Sequence, residues 1–265
     1  MSEMCKICSG KTYSVFKANV LNKYSVTYLQ CKDCQFIQTE SPFWLEESYS
    51  SAITFLDIGL ISRNTKVAEK LTSIINMAFN ASGKFIDYAG GYGILVRLMR
   101  DKGYDFYRMD KYCENLFAKT FDISETSTIG SKQYELVTAF EVFEHLDDPL
   151  EEIKKMLVFS NNILFSTELQ PLKSIKDSTD WWYIAPETGQ HIAFYTEKSL
   201  DILAQKLGLK YYKINNSLHL FSDQNINIKW IATIINNSKL GFLYKRLFVK
   251  NRKSFLPSDY NTIIG

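Results

Sequence analysis

The stretch Asp87-Tyr88-Ala89-Gly90-Gly91-Tyr92-Gly93 decides the fold of this chain. The apolar pair Phe85-Ile86 precedes it, and an amphipathic run, Ile94-Leu95-Val96 with Leu98-Met99, follows. That order reads as strand, glycine turn, helix, the place where doubly wound α/β folds bind nucleotide-like ligands. Glycine takes positive φ freely and lets a ligand reach the backbone with no Cβ in the way. A tight turn with no ligand is the plain alternative.

A dinucleotide fingerprint places glycines at the first, third and sixth positions. Counted from Gly91 the sixth position is Val96, and counted from Gly90 the pattern fails at Tyr92. Asp87, Ala89, Gly91 and Gly93 instead fall at alternate positions. This resembles motif I of the class I S-adenosylmethionine (SAM) methyltransferases, with Ala89 where that family usually has its first glycine. The resemblance implies a Rossmann-like class I methyltransferase sheet, with Asp87, Gly90, Gly91 and Gly93 at the cofactor. A second strand over Asp105–Met109 ends at Asp110. A carboxylate about 20 residues past the turn is where this topology receives ribose hydroxyls, in SAM and NAD enzymes alike. A helix cap is the simpler role for such an Asp.

The 265 residues suit one α/β domain with a small accessory piece, and a 46% hydrophobic content allows a large core. A net charge of +2 does not point to nucleic acid. The polar start carries no export signal, so the expected compartment is the cytoplasm, with reduced thiols. In that setting Cys5-Lys-Ile-Cys8 and Cys31-Lys-Asp-Cys34 read as two knuckles of a structural zinc site. The expected organisation is a zinc-binding module over 1–42, a connector over 43–63, a SAM-binding domain over 64–222 and a basic amphipathic extension over 223–265. That extension suits docking on the same chain, a partner subunit or a membrane surface.

Apolar residues at helical spacing predict a helix over Asn64–Phe79, capped by Asn64 and ended by Gly83. Further strands are expected at Tyr24–Leu29, Leu136–Phe140, Ile163–Ser166 and Lys210–Ile214. Leu218–Phe221 is expected to add an antiparallel hairpin strand, and helices are expected around 149–158 and 196–207. The segment 168–190 breaks the alternation and carries Trp181-Trp182-Tyr183. Its aromatics, with Tyr195, suit a sugar ring or a base, or else anchor the loop to the core.

Phe140-Glu-Val-Phe-Glu-His-Leu-Asp-Asp-Pro149 resembles the segment after strand four of many small-molecule methyltransferases. By that likeness Glu141 lies at the cofactor and His145 at the active-site mouth. Glu141, Glu144 and His145 also match the divalent-metal pattern of ubiquinone-pathway O-methyltransferases, although the segment is common without metal. The chain has three histidines, at 145, 191 and 219, so candidates for a base near neutral pH are few. His191 is the first choice and His145 the second; the alternative for His191 is a capping imidazole.

Taken together, these features resemble bacterial methyltransferases with an N-terminal zinc-binding module, including sugar C-methyltransferases. By that resemblance Tyr49 touches SAM. In the C-methyltransferases the last loop has a Tyr and two His; here Thr188-Gly189-Gln190-His191 keeps the second His and lacks the Tyr. The chain also stops where those enzymes begin a large C-terminal domain. The expected activity is therefore O-methylation of a sugar, nucleotide-sugar or sugar-linked group in surface-glycan biosynthesis. Sugar C-methylation and nucleic-acid methylation, with the zinc module as reader, are the alternatives. A non-catalytic SAM-binding protein and an oxidoreductase complete the set.

Overall fold

Alternating inward side chains start the chain as a sheet: Thr12, Phe16, Ala18 and Val20 are buried along β1 (Thr12–Val20). In the computed structural model, which describes residues 4–49, 58–123 and 133–264, β1 pairs antiparallel with β2 (Tyr24–Cys31). Strand β2 pairs in turn with β3 (Ile37–Thr39), and the short helix α1 (Leu45–Ser48) follows. Positions 50–57 of the expected connector lie outside the described residues.

Helix α2 spans Leu60–Ala78, starting one turn before the expected point. Asn64 is not its cap. It lies inside the helix, with its amide donating to the Leu60 carbonyl (2.9 Å), because the apolar period extends upstream to Leu60. Gly83 sits in the turn that leads into β4 (Lys84–Tyr88). Next come α3 (Ile94–Asp101), β5 (Asp105–Met109), β6 (Tyr134–Ala139), a single 3-10 turn (Phe143–His145) and α4 (Pro149–Met156). Asp148 caps α4 by accepting from the Glu151 amide, and Pro149 opens it where no N–H is needed. The remaining elements are β7 (Ile163–Ser166), two 3-10 turns (Ser178–Asp180 and Trp182–Ile184), β8 (Ala193–Phe194), α5 (Glu197–Lys206), β9 (Lys210–Lys213), β10 (Leu218–Ser222), α6 (Ile228–Asn236), α7 (Ser238–Phe248) and α8 (Leu256–Ile264).

The central sheet runs β5-β4-β6-β7-β10-β9. Its first four strands are parallel, and β10 lies antiparallel between β7 and β9, as expected for the hairpin strand. Phe85 and Ile86 on β4 point to opposite faces. Phe85 joins Leu71, Ile74, Val96 and Ile231 under α2, α3 and α6; Ile86 joins Ile153, Phe165 and Leu203 under α4 and α5. This is a mixed α/β, Rossmann-like arrangement with both faces of the sheet covered.

Two long-range connections tie the ends of the chain to the central domain. Strand β8, from the late loop, pairs with β3, so the N-terminal sheet is β1-β2-β3-β8. The C-terminal extension returns to α3, where Asp259 accepts from Arg100 Nε and Nη2 at 2.8 and 2.7 Å, both side chains buried. Among the described residues no helix is long and apolar enough to cross a membrane.

Candidate active site

The C-terminal ends of the parallel strands open into a cavity of about 940 Å³, where open α/β sheets bind their ligands. The turn after β4 forms one wall. Gly91 and Gly93 have φ of 53° and 84°, and Ala89 has φ of 54°. The expected first glycine is thus an alanine held in the left-handed region, which costs about 1–2 kcal/mol. Arg108 Nε braces the turn by donating to the Gly91 carbonyl (2.6 Å), and its guanidinium pairs with Asp122 at 2.8 Å.

Asp87 is buried and accepts from the Thr138 hydroxyl at 2.6 Å. Burial pushes its carboxyl up to about 7, against the opposing pull of that hydrogen bond. Asp110 lines the same cavity. Its Oδ2 accepts from the Gly91 amide (2.9 Å), and its Oδ1 accepts from the Tyr112 and Cys113 amides (both 2.8 Å). Among the described residues no helix directly follows Asp110, so it is not a helix cap; its carboxylate instead closes a turn and ties β5 to the glycine turn.

Glu141 and His145 line the cavity on the β6 side, and Tyr49 lies against His145 with ring centroids 6.2 Å apart. Glu141 has φ of 56°, and its backbone amide donates to Ser166 Oγ while that hydroxyl donates back to Glu141 Oε1 (2.7 and 2.8 Å). Its other oxygen lies 3.8 Å from Arg63. Glu141 is thereby drawn away from Glu144 and His145, with which it matches the divalent-metal pattern in sequence. Its place beside Glu144 and His145 is taken by His191, with one ligand atom from each of the three within 4.8 Å of the others.

The turn holding Glu144 and His145 is fixed from behind. Tyr195, fully buried, donates its hydroxyl to the Phe143 carbonyl (2.9 Å) and packs on Phe36 and Phe143. Ile192 donates its amide to the Glu144 carbonyl (2.9 Å). His145 Nδ1 faces the Gln190 carbonyl at 3.0 Å, and His191 Nδ1 faces the Tyr183 carbonyl at 2.6 Å. Because a carbonyl only accepts, both Nδ1 atoms carry the proton and both Nε2 atoms keep a lone pair. Burial holds His145 down at about 3, helped by the neighbouring His191, and burial lowers His191 as well.

The late loop divides its aromatics. Trp181 is buried with Tyr183, Ile184 and Phe194 against the N-terminal sheet, so it and Tyr195 anchor the structure and do not line the cavity. Both depart from the substrate-contact expectation, because each side chain is spent on packing. Trp182 is 75% exposed and lines a smaller cavity of about 260 Å³ with Arg63, Glu141 and Glu168; Arg63 and Glu141 also line the larger one. Gln190 bonds the Ser48 carbonyl (3.0 Å), and Trp44 bonds the Gly189 carbonyl (2.9 Å), which pins the loop to the residues before Tyr49.

The four cysteines also converge. Sγ–Sγ separations are 3.5 Å for Cys5–Cys34, 3.3 Å for Cys8–Cys31 and 3.5 Å for Cys8–Cys34. Zn–S bonds of about 2.3 Å in a tetrahedron give edges of about 3.8 Å, whereas a disulfide needs about 2.05 Å. The Ile7 and Asp33 amides point at Cys5 and Cys31 sulfur (both 3.4 Å), the hydrogen-bond support that thiolates holding a metal use. The donor set fits a closed zinc site.

Sequence reasoning missed Arg108, Thr138, Ser166 and the closeness of His191 to Glu144. A charged residue inside the apolar strand β5 was a signal for Arg108; the others depend on tertiary path alone.

A methyltransferase-domain family model matches residues 63–214. No curated protein sequence matches the chain. Solved structures to which it is similar include TnmH, at 14% identity and TM-score 0.49, over 69% of this chain and 62% of that one. Another is magnesium protoporphyrin IX methyltransferase from Synechocystis with bound SAH, at 13% identity and TM-score 0.43, over 67% of this chain and 90% of that one. A third is an O-methyltransferase family 2 protein from Planctomyces limnophilus in complex with apigenin, at 15% and 0.45, over 68% and 65%. The chain thus spans less than two thirds of the length of the TnmH structure.

Proposed function

Because this chain belongs to the methyltransferase-domain family of SAM-dependent enzymes, we propose that it methylates a hydroxyl of a sugar, nucleotide-sugar or sugar-linked acceptor in surface-glycan biosynthesis. The observation that carries this reading is the juxtaposition, on one cavity, of the left-handed turn Ala89–Gly93 and the imidazole of His145. The first supplies a Cβ-poor wall for the donor. The second stands where an acceptor proton must leave.

In this reading SAM supplies an electrophilic methyl on a sulfonium, which already carries its leaving group. The chain binds and aligns. Gly90 and Gly91 give the donor's amino-acid part a flat backbone wall, Gly93 lets the turn pack closely on Ala118 behind it, Asp87 offers a counter-charge, and Asp110 and Tyr49 border its nucleoside side. Glu141 is held by Ser166 at the junction of the two cavities. The acceptor enters past Trp182, and its hydroxyl loses its proton at the His145–His191 pair, of which His145 faces the cavity. The four cysteines hold structural zinc, which fastens the sheet whose last strand, β8, follows directly on His191 and Ile192.

Incubation with methyl-labelled SAM and a panel of nucleotide sugars, followed by NMR of the product, tests this reading. A methoxy carbon signal supports it. A C-methyl signal, or label found only in nucleic acid, replaces it with one of the alternatives.

A further inference from the structure

Glu144 is the anomaly of the site. Its side chain is 0% exposed, and neither carboxylate oxygen is within hydrogen-bond geometry of a donor among the described residues, although the buried Tyr183 hydroxyl lies near enough to favour its anion. A buried carboxyl so poorly paired is expensive, and native structures keep one only for a reason. Three observations identify what it faces. Glu144 Oε1 lies 4.0 Å from His145 Nε2. Ligand atoms of Glu144, His145 and His191 fall within 4.8 Å of one another. Both imidazoles are locked with Nδ1–H on a backbone carbonyl, the arrangement by which metal-binding histidines aim Nε2 at their ion.

We propose that Glu144, His145 and His191 form a divalent-cation site, distinct from the four-cysteine site, that presents the ion to the acceptor. Two imidazoles and one carboxylate suit a borderline first-row ion such as zinc, and not magnesium or calcium, which prefer all-oxygen shells. Bonds of about 2.0–2.2 Å put tetrahedral ligand edges near about 3.4 Å. The separations here are within about 1.5 Å of that, a gap that side-chain torsions close. Three protein ligands leave a position open, and His145 places that position on the large cavity.

The chemical role rests on the proposed methyl transfer; ion binding does not. An acceptor hydroxyl that enters the open position gives its oxygen lone pair to the ion. Its O–H bond then breaks heterolytically, the proton passing to solvent water and the electron pair staying on oxygen. With the ion bound, the His145–His191 pair serves as its ligands, and the acceptor's proton leaves to solvent in place of passing to these imidazoles. The site also explains why His191 sits on a loop pinned at both sides: one ligand comes from the late loop and two from the turn after β6.

The test is Co²⁺ titration of the folded, chelator-treated protein, with folding checked by circular dichroism. The wild type is expected to bind two equivalents, one showing a thiolate-to-cobalt charge-transfer band and one lacking it. Glu144→Gln, which keeps the shape of the side chain, and His191→Asn are each expected to weaken only the second equivalent, by at least about tenfold. Cys8→Ser, which leaves three thiolates, is expected to weaken and shift only the thiolate band. A wild type that binds the thiolate equivalent alone, or folded variants at both 144 and 191 that keep the second with unchanged affinity, overturns the proposal. Two equivalents without label transfer to any hydroxyl acceptor uphold the ion site while removing the methyl-transfer reading.

Discussion

Gly93→Ala tests whether the turn after β4 owes its shape to close packing on the segment behind it, and whether the donor depends on that shape. Gly93 has φ of 84°, and a Cβ there meets Ala118 Cβ at 2.8 Å, with the Ala118 amide nitrogen and Asn115 Oδ1 both at 3.1 Å. Ala118 cannot easily give way, because it is buried and its amide is held by Asn115 Oδ1 at 2.8 Å. The backbone strain contributes about 1–2 kcal/mol. The crowding adds about 1–3 kcal/mol, so the total is about 2–5 kcal/mol. Gly208→Ala is the control: its φ is 70°, but nothing lies within 4 Å of the added Cβ. It should cost the strain alone, about 1–2 kcal/mol. Urea unfolding followed by circular dichroism measures both, and calorimetry should show SAM affinity lost only in the Gly93 variant. Equal destabilisation by the two substitutions, or unchanged SAM affinity in Gly93→Ala, would refute the reasoning.

Other consequences are equally specific. Asp87 titrates near 7, and only its anion can pair with the donor's ammonium, so SAM affinity should weaken as pH falls below about 7. The slope should approach about tenfold per unit, and Asp87→Asn should flatten the profile; a flat wild-type profile from pH 8 to 5 contradicts the role. Asp259→Ala leaves buried Arg100 with one carboxylate, Asp105, and the Phe106 carbonyl, and should cost about 3 kcal/mol in urea unfolding. Arg100 and Arg97 hold the Asp259 carboxyl below its ordinary value despite burial. This contribution is therefore present above the unfolded-state value and lost as pH falls through the folded one; a change under 1 kcal/mol at pH 7 would be inconsistent with a buried pair. His145, held near 3, should show no NMR titration shift above pH 5, and a midpoint near 6.5 would place the ring in solvent.

Much of the architecture was legible because it rests on local chemistry. The alternating small residues after Phe85-Ile86 need left-handed backbone, and even Ala89 adopts it. The two CxxC pairs carry their spacing in sequence, and the structure brings their sulfurs together. What stayed hidden depends on path. A two-residue strand at Ala193–Phe194 leaves no periodicity to read, yet it joins the late loop to the N-terminal sheet. Trp181 and Tyr195 looked like ring-stacking residues by type alone, but packing consumed both. Asn64 looked like a cap because its side chain suits one, while Leu60 had already extended the helix. Asp259 was legible only as the one acid after Asp223 in a basic tail, not as the partner of Arg100.

The most direct test of the account is calorimetric titration of the purified protein with SAM, with and without saturating S-adenosylhomocysteine. The account predicts one saturable site per chain, competed by the homocysteine product and weakened in Asp87→Asn above pH 7, with the label transfer falling in step. No binding at millimolar SAM, or binding that Asp87→Asn and Gly93→Ala leave untouched, would contradict it.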